Sequence, residues 1–340
     1  VVLVWLEGAP KKGVGPHDVA ISLVKATFES GVVKNKVLEF AGPGVKNLPI
    51  DFRNGIDIMT TETTCLSSIW ITDDEVKHHY EIHERPQDYR ELKPGDVAYY
   101  DMMIRIDLST QESMIALPFH PSNAVTIHEL QADPVGILTR IEEDAKKRFG
   151  DKVDVHLVDK VVDGKVQADQ GIIAGCSGGT YDNLAEAAAI LKGNNIGNDY
   201  FTASAYPQST PVSMAVTREG ITADLIEAGV VMKPAFCGPC FGAGDVPSNN
   251  GLSIRHTTRN FPNREGSKPG QGQLSLVALM DARSIAATAA NGGIITAATD
   301  VEYENTHKPY VYDDKIYKCR VYNGFGKARP ETELRYGPNI

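Results

Sequence analysis

Gly171-Ile172-Ile173-Ala174-Gly175-Cys176-Ser177-Gly178-Gly179-Thr180 reads as a short buried strand breaking into a glycine-rich turn, and that turn carries a cysteine. Downstream, Leu184, Ala187, Ala188 and Leu191 recur at helical spacing and predict a helix with one apolar face. Cys176 therefore stands at the carboxyl end of a strand just ahead of a helix. Ligands collect there in open α/β sheets, and helix N-terminal amides favour a thiolate. The pattern returns further on, where a helix from Ile221 to Ala228 leads into the apolar stretch Val230 to Phe236 and then into Cys237-Gly238-Pro239-Cys240-Phe241-Gly242. Both cysteine segments occupy equivalent strand-end positions. Glycine and proline around them remove bulk, so that backbone amides can approach bound sulfur.

Three thiolates suit a four-iron cube that leaves one iron without a protein ligand, and such an iron is free to act as a Lewis acid. Cys-x-x-Cys also fits a thioredoxin-like redox pair or half of a zinc site, so spacing alone leaves three readings open. Against the redox pair, Cys237 follows a strand inside a glycine-rich loop, with no helix evident at Cys240. Against zinc, no histidine or cysteine pair sits at finger-like spacing. Cys65 and Cys319 read as ordinary, partly buried thiols.

The 340 residues, 42% hydrophobic and 23% charged, describe a globular chain long enough for two domains. A net charge of -10 argues against nucleic acid or an anionic membrane as partner. Five unevenly placed cysteines argue against a secreted disulfide framework, so a reducing, cytoplasmic setting is expected. No apolar run approaches the length of a membrane span. The opening strand Val1 to Glu7 has neither an initiating methionine nor a basic leader, and the polar end Arg329 to Ile340 reads as linker, so a piece of a longer protein is expected.

Strand-like and helix-like segments alternate, which predicts layered α/β domains. Gly15-Pro16-His17-Asp18 leads into a helix with Ala20, Leu23, Val24 and Phe28 on one face and Gly31 at its C-cap. A strand from Val37 to Phe40 runs into Ala41-Gly42-Pro43-Gly44-Val45, better read as a plain strand-to-helix turn than as a phosphate loop. Thr72-Asp73-Asp74-Glu75 has capping-box spacing and predicts a helix start. His78, His79 and His83 read as a solvated helix face rather than a metal site. The irregular stretch from Leu117 to Pro134 places a boundary that divides the chain into 1–125, 126–328 and a linker 329–340.

Several ordered motifs carry a family resemblance. Ala174 to Asn183 resembles the first cluster signature of the aconitase and isopropylmalate dehydratase superfamily, and Cys237 to Gly242 resembles the second. Thr258-Arg259-Asn260-Phe261-Pro262-Asn263-Arg264 is similar to that family's substrate-arginine motif, and Phe40 to Val45 and Thr61-Glu62-Thr63-Thr64 also resemble aconitase stretches, in the same order. The resemblance implies two consecutive α/β/α layered domains of the aconitase iron-sulfur type and a 4Fe-4S cluster held by Cys176, Cys237 and Cys240. It implies a hydro-lyase acting on a di- or tricarboxylic hydroxy acid, with Arg259 and Arg264 facing carboxylates and Glu62 beside the substrate hydroxyl.

Departures from the family pattern are equally visible. The first signature usually reads Cys-Thr-Asn-Ser, yet Ser177-Gly178-Gly179 follows Cys176, and Ile58 and Thr258 stand where the family has asparagines. Citrate or isocitrate specificity is therefore not expected. The family's aspartate-histidine pairs and serine base belong to flanking amino- and carboxyl-terminal domains. The expectation is a chain that folds but does not turn over alone, and whose cluster need not persist in isolation. A redox or electron-transfer protein using the same cysteines, and a binding scaffold without a cluster, are the alternatives.

Overall fold

The computed structural model describes residues 1–197, 200–262, 272–316 and 330–331. Its first sheet holds β1 (Val2–Glu7), β2 (Val37–Ala41), β3 (Ser67–Trp70) and β4 (Met102–Asp107), all parallel, in the order β3-β2-β1-β4. The connections carry α1 (Pro16–Thr27), α2 (Ile50–Met59) and α3 (Asp74–Ile82). Val2, Val4 and Leu6 turn inward onto Val19 and Leu23 of α1 and Phe52 and Ile56 of α2. The opposite row is open: Leu3 and Trp5 are half-buried and Met103 is exposed. That alternation along β1 is what a sheet covered on one face requires.

The turn after β2 is the plain strand-to-helix turn. A Cβ at Gly42, where φ is +108°, would lie 2.5 Å from the Leu6 carbonyl oxygen, and the Gly44 amide donates to that same oxygen at 2.8 Å. α3 begins one residue later than the capping-box spacing suggests. Asp73 caps it by accepting from the Val76 amide, while the Thr72 hydroxyl accepts from the Leu92 amide at 2.7 Å.

The second sheet opens with β5 (Met114–Ala116) and β6 (Ala124–Thr126), followed by α4 (Ile127–Ala132), α5 (Pro134–Phe149) and a short ribbon, β7 (Val161–Val162) with β8 (Lys165–Val166). Then come β9 (Gln170–Ile173), α6 (Gly175–Gly178), α7 (Tyr181–Leu191), β10 (Thr202–Ala205), α8 (Thr210–Arg218) and α9 (Ile221–Glu227). β11 (Val231–Met232), α10 (Gly238–Phe241), β12 (Gly251–His256), β13 (Ser275–Met280) and α11 (Ala282–Ala290) complete it. The order is β11-β10-β9-β12-β13-β5-β6, parallel except for β5 and β6. Because β5 bonds to β13, the change of sheet falls between Asp107 and Met114 rather than near residue 125. The apolar stretch before Cys237 forms only two residues of strand, and Phe236 is exposed. Of the expected linker, only 330–331 lies among the described residues.

The α/β class holds, and the layers are shared rather than separate. One face of the second sheet, with Ile173, Leu252, Ile254, Leu276 and Met280, packs on Leu184, Ala187 and Ala188 of α7 and Ile285 of α11. Its other face, through Met114, Ala116, Ala124 and Leu279, packs on Ala20, Ile21 and Val24 of α1. α1 thus faces both sheets, which is why it is buried almost all round.

Where α1 meets the second sheet, polar groups replace apolar ones. Asp281, fully buried, accepts from the His17 amide at 3.1 Å through one carboxylate oxygen and from the Arg283 amide and guanidinium at 3.0 and 3.1 Å through the other. One carboxylate therefore serves the N-termini of both α1 and α11. A Cβ at Gly15 would lie 2.1 Å from it, so only glycine fits. Asp18 reciprocates, accepting from the Met114 amide of β5 and from its own Gly15 amide, both at 2.8 Å. Burial alone would raise the Asp281 carboxyl, but the charge of Arg283 and the nearby His256 outweigh it and hold it below the usual carboxylate range. Asp18 goes the other way, pushed well up by burial and by Asp281, so the pair keeps its negative charge on Asp281.

Asp281→Ala strands a buried guanidinium and uncaps two helices, and should cost about 3–5 kcal/mol in urea unfolding at pH 7. Because the folded carboxyl titrates below its unfolded value, this loss should be full above about pH 4 and shrink as pH falls through the folded value. A deficit under 1 kcal/mol at pH 7 would remove Asp281 from this role.

Candidate functional site

In the second sheet, β11, β10, β9, β12 and β13 run parallel and end on one edge. The chain steps from β9 outward through β10 to β11, then crosses to β12 and steps the other way. The crevice between β9 and β12 is thus a switch point, where connections diverge and leave room for a ligand. Cys176 follows β9 and Arg259 follows β12. The loop bearing Cys237 and Cys240 starts at the distant edge strand β11 and returns across the sheet: the Tyr206 hydroxyl donates to Asp245 at 2.6 Å, and Arg255 on β12 donates to the Pro239 carbonyl at 2.8 Å.

That return brings the three predicted cysteines together. Gly175, at φ +70°, forms the floor: a Cβ there would lie 3.1 Å from the Cys240 sulfur and 3.3 Å from the Cys237 sulfur. Cys176 and Cys237 reach the surface, Cys240 is half-buried, and none is in a disulfide. Desolvation, then the neighbouring Cys237, raises the Cys176 thiol against the pull of its own and the Ser177 amides. The Cys240 thiol is pushed up to about 12 by desolvation and by the other two cysteines, with Arg255 working against the rise. The helix-end amides expected to favour a thiolate are thus present at Cys176 but outweighed. Among the described residues no three His, Cys, Asp or Glu side chains close on a single metal ion. A cuboidal cluster spreads its thiolates over separate irons, and three free cysteines around a floor without a Cβ fit such a donor set.

Local geometry explains the departures around Cys176. A Cβ at Gly178 would lie 2.3 Å from the His256 carbonyl oxygen at the end of β12, and one at Gly179 would lie 2.1 Å from the Tyr206 carbonyl oxygen after β10. The turn is wedged between two strand ends, and larger residues have no room. It is held from behind by Asn183, whose amide donates to the Ser177 carbonyl at 2.9 Å and whose oxygen accepts from Arg283 at 3.0 Å. A single helical turn, α10, does include Cys240, with Cys237 at its N-cap, where the sequence gives no sign of a helix.

Glu62 and Arg259 meet each other. Glu62 sits buried in a 3-10 turn after α2, and its carboxylate accepts from Arg259 Nε at 2.5 Å. Arg259 is 42% exposed, and its terminal nitrogens have no acceptor among the described residues. Arg264 lies outside the described residues, as does Cys319. Ile58 and Thr258 are half-buried near this junction. Cys65 is an ordinary thiol directed at the Thr60 carbonyl, and the His83 ring packs at a tilt against Tyr312, with centroids 4.9 Å apart.

Three contributors escaped the sequence reading: Arg255, Asn183 and Asp281. The signal for Arg255 was a charged residue inside the otherwise buried run Gly251 to His256. A further pair spans the two layers near α6, where the Asp182 amide at the start of α7 donates to Asp51 at the start of α2 at 3.3 Å. Burial, then the charge of Asp51, pushes the Asp182 carboxyl up to about 7, with Arg283 opposing. Burial raises Asp51 as well.

The model of the Aconitase family (aconitate hydratase) matches residues 1–287, and the chain belongs to that family. It is 30% identical over 287 residues to the 3-isopropylmalate dehydratase large subunit 2 of Rubrobacter xylanophilus, covering 84% of this chain and 58% of that one. It is 27% identical over 293 residues to the mitochondrial homoaconitase of Debaryomyces hansenii, covering 81% and 38%. The chain thus spans about half the length of these relatives. The holo-form crystal structure of Thermococcus kodakaraensis aconitase X covers 76% of this chain and 49% of its own, at 11% identity and a TM-score of 0.37, too loose a fit to carry an argument. No helix among the described residues is long and apolar enough to cross a membrane.

Gly178→Ala should destabilise the chain by about 1–3 kcal/mol in urea unfolding, since its Cβ meets backbone that cannot rotate away; an unchanged midpoint would contradict the wedged turn. For Asp51 and Asp182 the sign is opposite to that of Asp281. The folded pair binds a proton that the unfolded chain releases, so its contribution falls as pH rises from about 4 to about 7. Asp51→Asn should therefore raise the melting temperature more at pH 8 than at pH 5, and an equal shift at both would exclude the pair as the cause.

Proposed function

We propose that this chain is the cluster-holding part of an iron-sulfur hydro-lyase acting on a di- or tricarboxylic hydroxy acid. The observation that carries the reading is the convergence of Cys176, Cys237 and Cys240 over Gly175, where a side chain would fill the space between sulfurs. These three thiolates would hold a 4Fe-4S cluster. When bound, the cluster supplies a Lewis-acidic iron whose open position takes oxygen ligands.

Arg259 supplies the anion-binding group. Its Nε is fixed on Glu62, so the planar fork is oriented in advance and the terminal nitrogens remain for a substrate carboxylate. Arg264 is assigned the same task by its place in the motif. Glu62, buried and bonded, holds Arg259 and presents carboxylate oxygen to the same space, where it can orient a hydroxyl. Acid-base groups that move protons to and from carbon are assigned to parts of the protein outside these residues, in keeping with the share of the relatives' length that the chain spans. We infer that the chain alone does not turn over.

Anaerobic reconstitution with iron and sulfide should give the broad visible absorbance of a cluster. Serine at Cys176, Cys237 or Cys240 should abolish it, and serine at Cys65 should leave it intact. No iron uptake by a folded chain would sink the cluster reading. Hydration or dehydration of any acid in a panel of di- and tricarboxylates by the chain alone would overturn the inference of inactivity.

A further inference from the structure

Arg255 is a large side chain with no exposed surface, on a strand in which every residue is buried. Its position on β12 puts it on the same face as Ser253, to whose hydroxyl its Nε donates at 2.8 Å. Ser253 in turn donates to Gln170 of β9 at 2.8 Å, so the start of the side chain is tied across the switch-point pair of strands. At the other end, Nη1 donates to the Pro239 carbonyl at 2.8 Å and Nη2 to the Asp245 carbonyl at 3.1 Å. Those two carbonyls flank Cys240 in the loop that comes from β11, which β10 and β9 separate from β12 in the sheet. A buried guanidinium loses strong hydration, so its several acceptors must be well placed for it to remain. A fork whose nitrogens lie in one plane fixes two carbonyls relative to each other in a way that a single-point cation does not.

We propose that Arg255 is the positioning residue of the second cysteine turn: it pins the carbonyls of Pro239 and Asp245 to β12 and so sets how Cys237 and Cys240 are presented to Cys176. Its charge is also permanent and lies behind the thiolates, facing what becomes an anionic group once iron is bound. The second part of this inference rests on the cluster reading above. The first part concerns the turn itself and holds with or without iron.

The two parts separate experimentally. Trivalent arsenic bridges two thiols only when their spacing suits it, so phenylarsine oxide reads the presentation of Cys237 and Cys240 without iron. The background is the chain with serine at Cys65, Cys176 and Cys319, which leaves one dithiol. Arg255→Met and Arg255→Lys should both weaken phenylarsine oxide binding about tenfold, because both lose the fork that preorganises the turn. In the reconstituted chain with all its cysteines, an EPR-monitored redox titration should find a lower cluster potential in Arg255→Met than in wild type. Arg255→Lys, which keeps the charge, should stay close to wild type. Should Arg255→Met fail to fold, Arg255→Lys still gives the arsenical result. Wild-type arsenical affinity in the folded variants overturns the positioning role. Weakened affinity in a chain whose wild type takes up no iron upholds it and removes the cluster reading alone. An unchanged potential in Arg255→Met, with cluster loaded, overturns the electrostatic part.

Discussion

A single buried carboxylate, Asp281, sits where two helix N-termini from different sheets converge, and the rest of the arrangement hangs on that point. An α-helix leaves its first amides without partners inside the helix, and burying them uncompensated is costly. Here α1 and α11 are brought end to end and one ionised group satisfies both, with Arg283 keeping it charged. The constraint reaches backwards to Gly15, where no side chain fits, and to Asp18, which ties α1 to the first strand of the second sheet. Sharing α1 between two sheets needs this polar junction, because apolar packing on its own is non-directional and would not fix the angle of approach.

From that junction a hydrogen-bonded line leads to the cysteines. Asp281 holds Arg283, Arg283 holds Asn183, and Asn183 holds the carbonyl of Ser177, one residue beyond Cys176. On the other side, Arg255 and Tyr206 hold the loop of Cys237 and Cys240. The thiol trio is thus positioned by two separate polar anchors rooted in the same sheet. Glu62 reaches this edge from the first layer and meets Arg259 there, so both layers contribute to one surface.

Much of this was legible in the chain. The strand ending at Ile173, the helical face of Leu184 to Leu191, the cysteine turns and the start of α1 all follow from periodicity and from glycine and proline, which act locally. Other features were not. The irregular stretch near residue 125 suggests a boundary, yet β5 pairs with β13, some 160 residues away in sequence, and carries β6 with it into the second sheet; no local pattern encodes that partner. The glycines after Cys176 look like a loss of hydrogen-bonding groups; in the folded chain they are the residues that fit between the His256 and Tyr206 carbonyls.

The sequence by itself determined the α/β class, the strand-end location of Cys176 and the motifs that mark the aconitase family. These depend on residue spacing over one or two turns or a few residues of strand. Only the tertiary structure decided that one helix faces both sheets, that Glu62 and Arg259 pair across 197 positions, and that Arg255 pins the second cysteine turn. Those are contacts between segments distant along the chain. They are chosen by which faces can be buried together and which buried charges find partners, and neither is written in any short stretch of residues.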